Sequence, residues 1–116
     1  MIARIWRGRT RAEHADTYLD YLRATGLPGY AATAGNQVVR VLHRIEEDVA
    51  EFVLISFWES RPVIEAFAGP DIETAVYYPA DDDYLLEREP TVAHYDVVVD
   101  QAGPEKELEK EEEHAR

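Results

Sequence analysis

The chain has 116 residues, the length of a single domain, and 46% of them are hydrophobic, which is enough for a modest core. Acidic residues outnumber basic ones by 24 to 12, so the formal net charge is −12, and a nucleic-acid backbone or an anionic membrane surface would be repelled. Cysteine is absent, which excludes disulfides, thiolate nucleophiles and cysteine-ligated metal centres.

The first residues and the lack of cysteine indicate a cellular compartment. Arg4, Arg7 and Arg9 interrupt the opening stretch where a signal peptide needs an unbroken apolar run. No segment of the sequence approaches the length of apolar residues that spans a membrane. A chain without cysteine also suits a reducing environment. We therefore expect a cytoplasmic protein.

The first half of the chain predicts a strand, a helix and a β-hairpin. Residues 2–9 alternate as a strand does, and apolar residues then recur at helical spacing across residues 10–26. Leu-Pro-Gly at residues 27–29 predicts a turn. Residues 36–46 and 51–58 are rich in β-branched and aromatic side chains and are separated by a short polar turn, so they predict two paired strands.

The second half predicts helices followed by a final strand. Ser60 can cap a second helix, which Gly69 ends. A third, short helix is predicted over residues 71–77, and the stretch at residues 80–83, with its three aspartates, is predicted to be a solvated loop. Residues 91–99, TVAHYDVVV, predict the last strand. The resulting order, β-α-β-β-α-β, predicts a ferredoxin-like α+β fold with helices on one face of an antiparallel sheet.

The stretch EFVLISFWES, at residues 51–60, is apolar on both faces of the predicted strand. Phe52 and Leu54 project to one side, whereas Val53 and Ile55 project to the other. The helices of so short a chain can cover only one face of the sheet. We therefore predict a homodimer in which the bare faces of two sheets cover each other.

Three stretches carry a family resemblance: IARIWRGRT, the strand end FWES, and DIETAVYYPADDDYLLEREPTVAHYDVVV. Over about residues 1–100 the chain resembles the antibiotic-biosynthesis-monooxygenase-like proteins. The resemblance implies a dimeric α+β barrel in which each subunit holds a pocket between its sheet and its helices. Residues 101–116 form a separate glutamate-rich tail, for which we expect a solvated helix or disorder.

The resemblance leaves three functions open. The family includes cofactor-free oxygenases of activated aromatic or quinol substrates, haem-degrading enzymes, and many proteins with no assigned reaction. The sequence lacks the glycine-rich nucleotide loops and the zinc-protease and serine-hydrolase motifs. We therefore expect no tightly bound cofactor and favour a monooxygenase-like protein acting on an aromatic or polyketide-like small molecule. The alternatives are a non-catalytic dimeric module that binds a small ligand, and a relative that binds or degrades haem.

Three residues are candidates for catalysis. His43 shares a strand side with apolar residues, so it could serve as a base, although a core or interface histidine has the same pattern. Trp58 lies where the resemblance implies a pocket tryptophan whose indole N–H could bind an oxygenated substrate, but it could equally be a core residue. Tyr77 could donate a phenolic hydrogen bond to substrate, and it occupies the position at which haem-degrading relatives have an axial histidine.

Three further residues are candidates for substrate binding. Trp6 and Tyr78 could line a flat pocket, or could simply fill the core and an interface. Arg40 could hold an acidic group of the substrate, or form salt bridges with this acidic chain. The aspartates at residues 81–83 lack the spacing of a calcium loop, so we predict no metal site.

Overall fold

The fold is described from a computed structural model, over residues 1–104. Strand and helix bounds in chain order are β1 (Ile2–Arg11), a 3-10 turn (Ala12–His14), α1 (Ala15–Ala24), α2 (Gly26–Ala32), β2 (Asn36–Glu46), β3 (Val49–Trp58), α3 (Arg61–Ala68), α4 (Asp81–Tyr84) and β4 (Ala93–Asp96). The strands form one antiparallel sheet in the order β2-β3-β1-β4. The predicted α+β, ferredoxin-like fold is confirmed.

The centre of the sheet is formed by β1 and β3. Gly8 lies opposite Phe52 and Trp6 opposite Leu54, so these residues share one face of the sheet. On β3, burial alternates strictly from one residue to the next, because every second side chain points towards the helices. The apolar side chains of α1 and α3 cover this face, and Tyr18, Ile64 and Trp58 are fully buried there.

Two local predictions are wrong in the first half of the chain: the turn at residues 27–29, and the start of the first helix, which lies at Ala15 because residues 10–11 belong to β1. Leu27, Pro28 and Gly29 do not form a turn but lie inside α2. Proline is tolerated there because the first turn of a helix has no acceptor for its missing N–H. The break between the two helices is at Thr25, whose backbone N–H and hydroxyl both donate to the carbonyl of Tyr21.

Two further predictions are wrong after α3. Residues 71–77 do not form a helix: a turn capped by the Asp71 side chain leads into an extended stretch, in which Thr74 forms a bridge with Thr91. The acidic stretch at residues 80–83 is not a loop, since its three aspartates belong to the helical turn α4. The last strand is also shorter than predicted: it spans Ala93–Asp96, and beyond it the Val97 backbone N–H donates to the carbonyl of Met1 over 3.0 Å.

The face of the sheet away from the helices is bare. Val53, Ile55 and Phe57 remain partly exposed there, and Leu42 on the neighbouring strand is 47% exposed. This is the face for which the sequence predicts a second copy. The homodimer remains a prediction, as does the division into residues 1–100 and a tail at 101–116. Most of that tail lies outside the described residues.

Within residues 1–104, no helix is long and apolar enough to cross a membrane.

Candidate functional site

A cavity lies between the sheet and the helices α1 and α2. It is lined by side chains from both layers and from the extended stretch that precedes α4: Arg4, Trp6, Tyr18, Leu22, Gly26, Tyr30, Leu54, Phe67, Val76, Tyr78 and Asp81. Most of these side chains are buried, and five of them are aromatic. The cavity therefore offers flat apolar walls and two charged groups, one of each sign.

The cavity is nearly closed. Its unfilled space, including the mouth, is about 390 Å³, but only about 20 Å³ is open to the centres of water molecules. The centre of one water molecule needs roughly 10–15 Å³ of such space, so the cavity holds little more than one water. Phe67, Val76 and Tyr78 are the half-buried members of the lining and form its cover. An aromatic ligand must displace part of this cover to enter.

Arg4 is the cation of the cavity, and only 1% of its surface is exposed. Its guanidinium donates to the carbonyl oxygens of Ile72 and Thr74, the second over 3.1 Å, and so attaches the stretch after α3 to β1. A third contact, of 2.9 Å, joins Nη1 to Nε2 of His94. Burial lowers the pKa of Arg4, but a guanidinium keeps its proton in proteins.

Two titratable side chains beside Arg4, His94 and Tyr30, remain uncharged next to the guanidinium. Burial, followed by the charges of Arg4 and Arg61, lowers the pKa of His94 to about 4, so the ring is neutral and accepts from the guanidinium. Burial also raises the pKa of Tyr30 to about 12, although Arg4 acts in the opposite direction. Both groups are therefore uncharged near neutral pH, and neither supplies a negative charge to pair with the positive charge of the guanidinium.

Asp81 is the carboxylate of the cavity, and 3% of its surface is exposed. The Tyr18 hydroxyl donates to Oδ1 over 3.0 Å, and the Tyr78 backbone N–H donates to Oδ2 over 2.6 Å. Burial, then the nearby carboxylate, raises the pKa of Tyr18, so its phenol keeps the proton that it donates. Asp81 thus joins α1 to the start of α4 and faces the cavity while hydrogen-bonded on both oxygens.

Trp6 forms part of the wall because Gly8 makes space for it. A Cβ atom at Gly8 would lie 2.3 Å from the Cη2 atom of Trp6, far inside van der Waals contact. The indole therefore lies directly over the glycine two residues further along the same strand face. Its edge meets the Tyr77 ring at a centroid distance of 6.2 Å.

Of the three catalytic candidates, none lines the cavity. Trp58 lies behind the wall: it is fully buried, packs against Tyr30 and Phe67, and donates its indole N–H to Ser56 Oγ over 2.9 Å. The Tyr77 hydroxyl donates to the carbonyl of Glu89, which points it away from the cavity.

His43 lies on the predicted face of β2, stacked on Phe52 at 5.6 Å, but it is exposed because the helices do not extend over this end of the edge strand.

Two of the three substrate-binding candidates line the cavity. Trp6 and Tyr78 line the cavity, as their predicted role requires. Arg40 lies opposite Ile55 on the bare face of the sheet and is exposed, so the sheet separates it from the cavity. Among the described residues, no cluster of histidine, aspartate and glutamate side chains could hold a metal ion.

Sequence reasoning missed the two charged groups of the cavity, Arg4 and Asp81. The signal for Arg4 was present, because the side chain lies between Ile2 and Trp6 on the helix-facing side of β1. A charge in the middle of an otherwise apolar strand face is unusual unless it is used. Asp81 had no such signal, since Asp82 and Asp83 beside it are exposed.

The four-stranded antiparallel sheet, with helices on one face and an aromatic cavity between the layers, defines a ferredoxin-like α+β domain. The model of one family, antibiotic biosynthesis monooxygenase, matches residues 1–71, and the chain belongs to that family. No curated protein matches the sequence.

Solved structures share this fold at low sequence identity. A candidate antibiotic biosynthesis monooxygenase of Nitrosomonas europaea is 14% identical, with a TM-score of 0.61 over 85% of this chain and 100% of the other. One from Bacillus cereus is also 14% identical, with a TM-score of 0.62 over 88% and 97%. MhuD, the haem degrader of Mycobacterium tuberculosis, in a structure with two haems bound, is 18% identical, with a TM-score of 0.56 over 88% and 100%.

The residues of this cavity do not fit a haem. No histidine is among the described residues that line it, and His94 directs its Nε2 atom to Arg4 instead. The hydroxyl of Tyr77 donates to the backbone carbonyl of Glu89. The cavity is nearly closed, so it has no room for a porphyrin unless its walls move apart.

Proposed function

We propose that this protein is a cofactor-independent monooxygenase of an aromatic or polyketide-like small molecule, bound in the cavity between the sheet and α1–α2. One observation carries the proposal: the cavity combines five aromatic side chains with a buried guanidinium and a buried carboxylate, in a member of the antibiotic biosynthesis monooxygenase family. Aromatic walls select flat molecules, and the two charged groups can favour the removal of a proton from the substrate.

The reaction that suits this site is the oxidation of an activated methylene between two aromatic rings to a carbonyl. The substrate loses a proton, and its carbanion supplies electrons to O₂. One oxygen atom becomes the new carbonyl and the other leaves as water, so all electrons come from the substrate. Asp81 is the candidate proton acceptor, because it is the only carboxylate among the described residues of the lining. Arg4 stabilises the negative charge that develops on the substrate oxygen.

The test is oxygen consumption with anthrone, an activated methylene compound, at several protein concentrations. We expect consumption to rise in proportion to the protein and to yield the quinone. Asp81→Asn should abolish the reaction while leaving the far-ultraviolet circular dichroism of the protein unchanged. His43→Gln is the matched control, because His43 lies outside the cavity, and it should keep full activity. Equal rates with and without protein would refute the proposal.

The second candidate is a module that binds a small ligand without transforming it. It is favoured by the engagement of both Asp81 oxygens in hydrogen bonds and by the absence of a histidine from the described lining. A base normally needs a free lone pair directed at the proton that it removes. Saturable binding of anthrone without any oxygen consumption would favour this candidate over the first.

A further inference from the structure

Arg4 is the only basic residue that is buried in the described chain, and no carboxylate of residues 1–104 forms an ion pair with it. Its partners are two carbonyl oxygens and a neutral histidine ring, with the un-ionised Tyr30 hydroxyl beside it and the Phe67 ring centroid 5.8 Å from its Cζ atom. This is unexpected in a chain with a net charge of −12, which has carboxylates in excess.

The guanidinium also retains unused hydrogen-bonding capacity. It has five N–H donors, and the contacts with Ile72, Thr74 and His94 use three of them. Its Nε atom is buried and has no partner among the described residues. The indole Nε1 atom of Trp6, two residues further along the same strand face, is likewise buried without one. A buried donor without a partner costs about 1–3 kcal/mol, more when it is charged.

A purely structural role accounts for only part of this arrangement. The two bonds to Ile72 and Thr74 attach the stretch after α3, and a neutral donor such as glutamine would serve such bonds as well. They do not explain why a permanently charged group lines the cavity with its Nε–H unpaired. A planar oxyanion supplies both missing elements, because it brings a negative charge and accepts from a guanidinium edge.

We propose that Arg4 binds the oxyanion of a flat aromatic ligand, either a carboxylate on the ring or an ionised phenol or enol, with the ring between the aromatic walls of the cavity. The inference rests on the proposed function and specifies the charge of its substrate. Trp6 and Tyr30 lie beside the oxyanion position, and the ring occupies the space under Phe67 and Tyr78 after these half-buried side chains move aside.

The charge of Arg4 then has a chemical consequence for the bound molecule. A cation in a site of low dielectric favours the ionised form of an adjacent phenol or enol and lowers its pKa. The protein therefore selects the anion, which is also the form that transfers electrons to O₂. Because Asp81 lies in the same lining, a ligand with a second carboxylate there is disfavoured, so we expect a preference for monoanions.

The experiment compares 2-naphthoate with 2-naphthamide, which has the same shape without the charge. Binding is followed in the full-length protein by NMR of arginine Nε–H groups, in which a buried guanidinium gives a slowly exchanging signal. We expect naphthoate to shift the Arg4 signal and to bind at least tenfold more tightly than naphthamide. The Arg4→Gln variant should bind the two compounds equally, whereas Arg7→Gln, on the opposite, exposed face of the same strand, should keep the preference.

The Arg4 Nε–H signal of the wild-type protein tests the inference even if the Arg4→Gln variant does not fold. Naphthoate binding that leaves the Arg4 Nε–H signal unmoved, or equal binding of the two compounds, overturns the inference while leaving the aromatic site intact. Absence of binding by both compounds overturns it as well. A preference for naphthoate without oxygen consumption by any substrate sustains the inference and refutes the monooxygenase proposal. A second pair, 2-naphthol and 2-methoxynaphthalene, distinguishes a phenolate from a carboxylate ligand.

Discussion

The contact between Gly8 and Trp6 predicts the result of adding a single methyl group. In Gly8→Ala the new Cβ would lie 2.3, 2.9 and 3.0 Å from three atoms of the Trp6 ring. Carbon atoms in contact are normally about 3.5–4.0 Å apart, so the ring has to move by more than 1 Å. The indole is buried, and the cavity beside it admits little more than one water, so the ring cannot move without disturbing other side chains.

Two opposing effects determine how much Gly8→Ala changes the free energy of unfolding. Overpacking of this kind costs about 1–3 kcal/mol. Alanine regains about 0.5–1 kcal/mol relative to glycine, because the unfolded chain loses freedom. We therefore expect Gly8→Ala to lower the free energy of unfolding by about 1–2 kcal/mol. In the Trp6→Phe background the ring atoms that cause the clash are absent, so the same change at Gly8 should be neutral or stabilising.

The assay is urea denaturation of the wild type, the two single variants and the double variant, all at one protein concentration because dimerisation would make stability concentration-dependent. Circular dichroism follows all four proteins, and Trp58 remains as a fluorescent probe when Trp6 is replaced. Gly26→Ala is the matched control, since the nearest atoms to its new Cβ are 3.8 Å away. If Gly8→Ala cost the same with and without the indole, the coupling energy would be zero and the explanation of Gly8 would be wrong.

Three further predictions follow from other parts of the fold. Ile55→Asp should give unfolded or aggregated protein if the bare sheet face pairs with a second copy, whereas a stable monomer of the wild type in sedimentation would exclude that dimer. Burial lowers the pKa of His94 from 6.5 to about 4, so its contribution to the free energy of unfolding is present above pH 6.5 and is lost as the pH falls towards 4. His94→Gln should therefore flatten the dependence of stability on pH in this range, whereas the control His43→Gln should not. Hemin should give only the broad spectrum of weak association; a sharp Soret band at one hemin per subunit would contradict the described lining.

The strands could be predicted from the sequence because each has a local signal. Alternation along β1 correctly placed Arg4 and Trp6 on one face, and the two-sided apolar pattern of β3 correctly indicated a central strand. The face of His43 on β2 was also correct. Its exposure was not foreseen, because alternation assigns a side chain to a face but does not show how far the helices extend over that face.

The composition of the site could not be read from the sequence because it depends on distant contacts. Arg4 and Asp81 line one cavity although 77 positions separate them. Asp81 differs from Asp82 and Asp83 only in facing the Tyr18 hydroxyl of another helix. The Leu-Pro-Gly helix start and the extended stretch before α4 were missed for the same reason. The second of these is held by hydrogen bonds from Arg4, which no local pattern reveals.

The two faces of β1 have different functions because the strand alternates. Arg4, Trp6 and Gly8 face the helices, and together they provide the charge, the flat wall and the space for that wall. Ile5 and Arg7 face the bare side, where a second copy is predicted. We therefore expect a change on one face to act on the proposed ligand site, and a change on the other to act on the predicted pairing of two copies. Because β1 pairs with both β3 and β4, it is also the strand through which pairing of subunits can affect the cavity.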